Sequence, residues 1–191
     1  MADQAGNSDR DRETVISSGK RGNGMAVPKT ENIIFEEIPE NLSRFATLPQ
    51  AALSTPFDTA AMTVLALNVY PKDKETSLQM LEFLRGPRPM NGAEKQFIAD
   101  RFRGKDYVPR SYLKGAVPGN DYQPTRPYTV SVSENIYSYG EAGYAKLFIP
   151  SGGADSPRPV KLRLAKDGKW YLWEQALLTG IREPESSNPW A

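Results

Sequence analysis

Val160-Lys-Leu-Arg-Leu-Ala-Lys-Asp-Gly-Lys-Trp-Tyr-Leu-Trp-Glu174 is the stretch whose reading decides the fold. Two alternating runs flank Asp167-Gly168, a dipeptide that tolerates positive φ and so marks a two-residue type I′ hairpin turn. That turn sets a register in which Leu164 faces Tyr171, Leu162 faces Trp173 and Lys161 faces Glu174. Val160, Leu162, Leu164, Tyr171 and Trp173 then share one face and are expected in the core. The opposite face pairs Lys161 with Glu174 and brings Arg163 near Trp170, each pair worth about 0.5–1 kcal/mol.

Working back from the hairpin, Tyr128-Thr-Val-Ser-Val-Ser133 alternates with period two, and Tyr144 to Ile149 reads as a further strand between Gly143 and Pro150. The segment from Lys105 to Pro127 is loop-like, with one turn of helix near Arg110–Lys114. Ahead of it lie three helical patterns. Thr55-Pro56-Phe57-Asp58 supplies a cap, a proline at the first position and an early acid, and the run to Tyr70 is apolar nearly all round, the mark of a central buried helix. A second helix runs from Lys74 to Arg85 behind Asp73. A third starts at Asn91, with Glu94 closing a capping box, and stops at Gly104; Ala93, Phe97, Ile98 and Phe102 form its expected buried face.

Helices followed by antiparallel strands define an α+β fold, about three helices on a curved meander of three to four strands. The order is compatible with a nuclear-transport-factor-like cone. Asn32 to Pro39 reads as a short strand or an extended clip. Residues 1–32 hold five acids and five bases with few large apolar side chains, so a disordered arm is expected there and a single domain over 33–191.

The chain contains no cysteine and no histidine, which removes disulfides, thiolate sites, serine–histidine triads and histidine-liganded metals. No cofactor and no metal are implied. No run is long and apolar enough for a membrane helix, and the N-terminus lacks a signal-peptide pattern, so a cytoplasmic location without membrane association is expected. Ser111-Tyr-Leu-Lys114 matches Ser-x-x-Lys without its companion elements and is read as a solvated turn. The glycine loop Pro150 to Pro157 lacks the Gly-Lys-Ser/Thr ending of a phosphate cradle and is read as a strand connection. The carboxylates Asp121, Glu134, Glu141 and Asp155 are the candidates for acid–base chemistry, with scattered surface acids as the default. Trp190 is expected to fold back onto the sheet.

Charge is distributed unevenly although 24 basic and 23 acidic residues nearly cancel overall. Residues 85–114 hold eight bases against three acids, whereas residues 33–84 hold three bases against seven acids. Arg101, Arg103, Lys105, Arg110 and Lys114, interleaved with Tyr107 and Tyr112, are therefore the candidate binding residues for an acidic protein or an anionic ligand. Neutralisation of the basic segment by the acidic one is the competing reading. Nucleic acid is disfavoured, because Lys95, Arg101 and Arg103 spread around their helix instead of forming a stripe.

Tyr144-Ala-Lys-Leu-Phe-Ile-Pro-Ser-Gly-Gly-Ala-Asp-Ser-Pro-Arg-Pro159, Lys169-Trp-Tyr-Leu-Trp173, Gly180-Ile-Arg182 and the closing Asn188-Pro-Trp-Ala191 together resemble the end of a conserved domain of unknown function in an uncharacterised family of bacterial cytoplasmic proteins. The resemblance spans roughly residues 45–191. It implies a bacterial setting and a compact domain, and it supplies no activity or catalytic residues to carry over. The leading expectation is a non-catalytic interaction or ligand-binding domain. The alternatives are a small enzyme or pocket using tyrosine, arginine and carboxylates, and a regulatory subunit of a complex.

Overall fold

The computed structural model describes residues 28–190. Strand β1 (Thr30–Phe35) comes first, followed by α1 (Leu42–Ala46), α2 (Pro56–Val69), α3 (Lys74–Arg85) and α4 (Gly92–Phe102). After short 3₁₀ turns at Pro109–Tyr112 and Pro118–Asn120 the chain forms β2 (Tyr128–Ser133), β3 (Tyr144–Ile149), β4 (Arg158–Leu164) and β5 (Trp170–Gln175). The strands lie in the order β1-β2-β3-β4-β5, each antiparallel to its neighbour. This is an α+β architecture with one more strand than the sequence suggested. The extra strand is β1, which begins at Thr30, inside the expected arm. The rest of that arm, residues 1–27, lies outside the described residues.

Helix α2 forms where the start signals place it. The Thr55 hydroxyl oxygen accepts from the Asp58 N–H, and Pro56 occupies the first helical position, where a missing N–H costs nothing. Its residues are buried on every side save around Asp58 and Asn68, and it touches all five strands. The inward sheet face supplies Val130 and Val132 from β2, Ala145, Leu147 and Ile149 from β3, Val160 and Leu162 from β4, and Leu172 from β5. The polar groups on α2 are absorbed locally. The Thr63 hydroxyl donates to the Thr59 carbonyl (2.8 Å), and the Thr59 hydroxyl donates to the Trp170 carbonyl (2.7 Å), tying the helix to β5.

Helix α3 is capped by Asp73, whose carboxylate accepts from the Thr76 N–H and hydroxyl, and it packs along α2 through Met80, Leu81 and Leu84. Helix α4 starts in the capping box of Asn91 and Glu94, as its sequence requires. Its buried side is narrower than expected: Ile98 and Phe102 are buried, whereas Ala93 is exposed and Phe97 is 44% exposed beneath the Arg101 guanidinium. α4 is covered on one flank only, so the apolar ring of Phe97 is left to a cation.

The hairpin departs from the expected register by one residue. The Gly168 N–H donates to the Ala165 carbonyl, and the Ala165 N–H donates to the Lys169 carbonyl, so the loop is Lys166-Asp167-Gly168. Gly168 sits at φ 81°, the left-handed position that ends a three-residue loop. Leu164 therefore pairs with Trp170, Arg163 with Tyr171 and Leu162 with Leu172. A one-residue shift turns side chains to the opposite face. Leu172 enters the core in place of Trp173, and Tyr171 and Trp173 turn outward, while Leu164 is left exposed. A bulge at Trp173 then restores the expected Lys161–Glu174 pair.

Leu65→Ala, at a fully buried position of α2, is expected to cost about 2–5 kcal/mol in urea unfolding, whereas Phe97→Ala on the uncovered side of α4 should stay near 0.5 kcal/mol.

Candidate functional site

The outward turn of Tyr171 and Trp173 builds a groove at the hairpin end of the sheet. Helix α3 ends at Gly86, whose φ of 55° reverses the chain over the outer face. The next segment lies against the Tyr171 ring so closely that a Cβ on Gly86 would sit 2.2 Å from a ring carbon. Arg88 follows. Its guanidinium lies 4.2 Å from the centre of the Trp173 ring, and its Nη1 donates to the Trp173 carbonyl (3.3 Å). Arg163, on β4, lies over the same ring at 4.7 Å and over Tyr144 at 5.3 Å. Tyr144 meets Trp173 edge to face at 5.6 Å, and Lys161 caps Tyr144 at 4.3 Å while pairing with Glu141. Cations over an indole face are held by its quadrupole, and their stems cover apolar surface.

One partly buried ion pair anchors this arrangement. Arg85 is 7% exposed; its Nη2 donates to Glu94 (2.8 Å) and its Nε to the Arg88 carbonyl (3.0 Å). Burial works against ionisation of Glu94, but the Asn91 N–H, Arg85 and Arg88 outweigh it and hold the carboxyl below its usual range. At the other end the Tyr171 hydroxyl donates to Asp167 (2.7 Å), which with the Lys169 N–H depresses the Asp167 carboxyl. Burial, then the Asp167 charge, pushes the Tyr171 hydroxyl up, so it stays a donor.

Between these anchors lies a groove of about 670 Å³ whose lining includes Pro87, Leu164, Tyr171 and Trp173. Four cations, Arg85, Arg88, Arg163 and Lys166, line it against one carboxylate, Asp167. Arg163 and Lys166 make no ion pair among the described residues. The groove therefore presents flat apolar walls with fixed positive charge, which suits an anion carried on an apolar or aromatic body.

The expected binding residues are not gathered into one surface. Tyr107 and Tyr112 are core residues: Tyr107 stacks on Tyr122 at 5.4 Å, and the buried Tyr112 hydroxyl donates to the Leu177 carbonyl (2.6 Å). Burial pushes the Tyr112 hydroxyl well above its usual range. Arg103 pairs with Asp100, Arg101 lies over Phe97, and Lys105 and Lys114 are exposed. Arg110 is half-buried and lines a cavity with Asn68. Neutralisation by the acidic segment is partial, since only the Lys95–Glu82 pair joins the two. The contributors to the groove are instead Arg88 and Arg85 at the start of the basic stretch. They are joined by Arg163 and Trp173, which the two-residue turn would have placed on opposite faces.

The remaining motifs resolve individually. Ser111 is buried, not solvated; its hydroxyl donates to the Val108 carbonyl and accepts from Ser151, while Lys114 points to solvent. The glycine loop joins β3 to β4. Glu141 pairs with Lys161, Asp155 with Arg182, Asp121 accepts from Ser186, and Glu134 accepts from the Lys29 N–H, so the four carboxylates are dispersed. Trp190 does not fold back; it is 92% exposed. No helix among the described residues is long and apolar enough to cross a membrane.

The fold and groove define a helix-backed antiparallel meander that exposes a cationic, aromatic cleft. The chain belongs to the family described as Domain of unknown function (DUF6935), whose model matches residues 37–185. The match takes in α1 and the approach from β1, which the resemblance at 45–191 missed, and stops short of the closing Asn188-Pro-Trp-Ala191. Neither the curated proteins nor the solved structures contain a match.

Glu94→Gln leaves the buried Arg85 without its anion and is expected to cost about 1–3 kcal/mol near neutrality. Because the folded carboxyl titrates below the unfolded one, its contribution is present above the ordinary carboxylate range and lost as pH falls through the folded value. Urea unfolding at stepwise lower pH should show wild type and Glu94→Gln converging on the acid side.

Proposed function

We propose that this chain is a non-catalytic binding domain whose groove, at the hairpin end of the sheet, takes an acidic segment of a partner protein carrying an aromatic or apolar side chain. The observation that carries the reading is the pair of guanidiniums, Arg88 and Arg163, over Trp173 beside unpaired Lys166. A guanidinium held over an aromatic ring stays oriented: Arg88 is fixed there by the Trp173 carbonyl and Glu94, while Arg163, which makes no ion pair among the described residues, keeps its N–H edge for a carboxylate. A groove of about 670 Å³ falls within the usual few hundred to 1,000 Å³ of ligand sites, enough for one anchoring side chain and its flanking carboxylates. Arg101, Lys105 and Lys114 stand outside the groove; in this reading they add long-range attraction for an acidic partner. The single-domain organisation, the cytoplasmic location and the bacterial setting implied by the resemblance are part of the same proposal.

The test is a tryptophan-fluorescence titration with a synthetic Glu-Glu-Phe-Glu-Glu peptide and its Lys-Lys-Phe-Lys-Lys counterpart. The acidic peptide should saturate the protein and the basic one should not. Arg163→Glu combined with Lys166→Glu, both at exposed positions, should weaken the acidic peptide by about tenfold or more and steepen nothing in the unfolding curve. Equal binding of both peptides, or an unchanged affinity in the folded double variant, would overturn the reading.

A further inference from the structure

A second cavity lies on the far side of α2, where its last turn meets the 3₁₀ turn at Pro109–Tyr112. It measures about 280 Å³ and is lined in part by Asn68, Lys72, Asp106, Arg110 and Tyr128, with Leu113 among its apolar members. Two buried side-chain atoms among the described residues lack any hydrogen-bond partner, Asn68 Oδ1 and Arg110 Nε, and their residues line this same cavity. Buried polar atoms are nearly always satisfied, so two orphans in one place ask for a third party.

Their orientation is set by the chemistry around them. Asn68 Nδ2 donates to the Val64 carbonyl (2.9 Å) and to the Pro109 carbonyl (2.9 Å). Carbonyls only accept, so turning the amide over would set oxygen against oxygen; Oδ1 is held as a free acceptor. Arg110 makes no ion pair among the described residues, although Asp106 shares the cavity. Lys72 is occupied by Glu40 at 3.5 Å. The cavity wall thus holds a planar guanidinium and one fixed acceptor whose unbonded atoms are shielded from water, so an occupant reaches them by displacing the side chains that cover them.

We infer that this cavity binds a small organic acid whose carboxylate meets the Arg110 guanidinium and whose own hydroxyl or ammonium group donates to Asn68 Oδ1. A guanidinium edge, Nε–H with one Nη–H, matches the two oxygens of a carboxylate. A bare carboxylate would leave Asn68 unpaired, so the ligand needs a donor a few atoms from its acid group. Amino acids and hydroxy acids both meet this requirement, and Asp106 gives an ammonium a further acceptor within the cavity. The site is independent of the hairpin groove and shares no lining residue with it.

The experiment titrates the full chain with L-serine, L-lactate and acetate while following the Arg110 Nε–H resonance and the thermal midpoint. Serine or lactate, or both, should bind saturably and shift that resonance, and acetate should bind about tenfold more weakly because it leaves Asn68 unpaired. Preference for lactate assigns the donor as its α-hydroxyl, and preference for serine, which carries both an ammonium and a hydroxyl, supports the site without choosing between them. Arg110→Met should abolish the effect, and Arg110→Lys, which keeps the charge without the fork, should weaken it by about tenfold. Acetate binding as tightly as the others, equal binding by folded Arg110→Met, or a slowly exchanging water with no acid bound would overturn the inference.

Discussion

A helix with no polar face has to be covered on every side, and that requirement organises this protein. α2 cannot lie on a surface, so the sheet covers one side while α3 and the 3₁₀ turn at Pro109–Tyr112 cover others. Each contact also disposes of a polar group: Thr59 is tied to the β5 backbone, Ser77 of α3 donates to the Ala66 carbonyl, and Asn68 donates to Pro109. Burial around the helix is stabilising, each large aliphatic side chain removed from water contributing about 1.5–3 kcal/mol. Both candidate binding places lie where this cover runs out, one beyond the β5 edge and one at the last turn of α2.

The groove depends on a second, smaller constraint, the length of one turn. With a three-residue loop ending in left-handed Gly168, Arg163 and Tyr171 face each other across the strands on the outer surface. The bulge at Trp173 then keeps that indole outside and still lets Lys161 meet Glu174. The loop after α3 completes the cluster because Gly86 lets it lie directly on Tyr171, bringing Arg88 over Trp173. The Arg85–Glu94 pair fixes that loop from beneath. A cleft with oriented cations thus follows from two backbone features and one ion pair.

Much of the fold was legible because its signals are local. Caps at Thr55, Asp73 and Asn91 start helices where they were expected, and the alternation of β2 and the Gly143 and Pro150 boundaries of β3 place those strands. The misses have non-local causes. Asp-Gly accommodates either a two-residue or a three-residue loop, and only packing of Leu172 against α2 selects between them. β1 was half-read because its partner strand lies far along the chain. The site was legible in kind but not in place: a basic, aromatic surface was expected, yet Tyr107 and Tyr112 are taken by the core while Arg88 finds its aromatic partner on another element. Arg110 alone of the expected set retains an unmet bonding requirement, and burial of Nε, which decides it, has no sequence signal.

The position of β1 also dictates an order of assembly. Its partners in β2 lie about a hundred residues downstream, so closing that ladder costs more chain entropy than forming the β2–β5 meander or the helix pairs. The strand made first is therefore the one that docks last. Until β2 exists, Ile33-Ile34-Phe35 is an apolar run with strong strand tendency and no place to go. Glu31, Glu36 and Glu37 flank it on both sides. Acidic residues in those positions discourage two waiting chains from pairing through the same segment, a protection the finished sheet no longer needs.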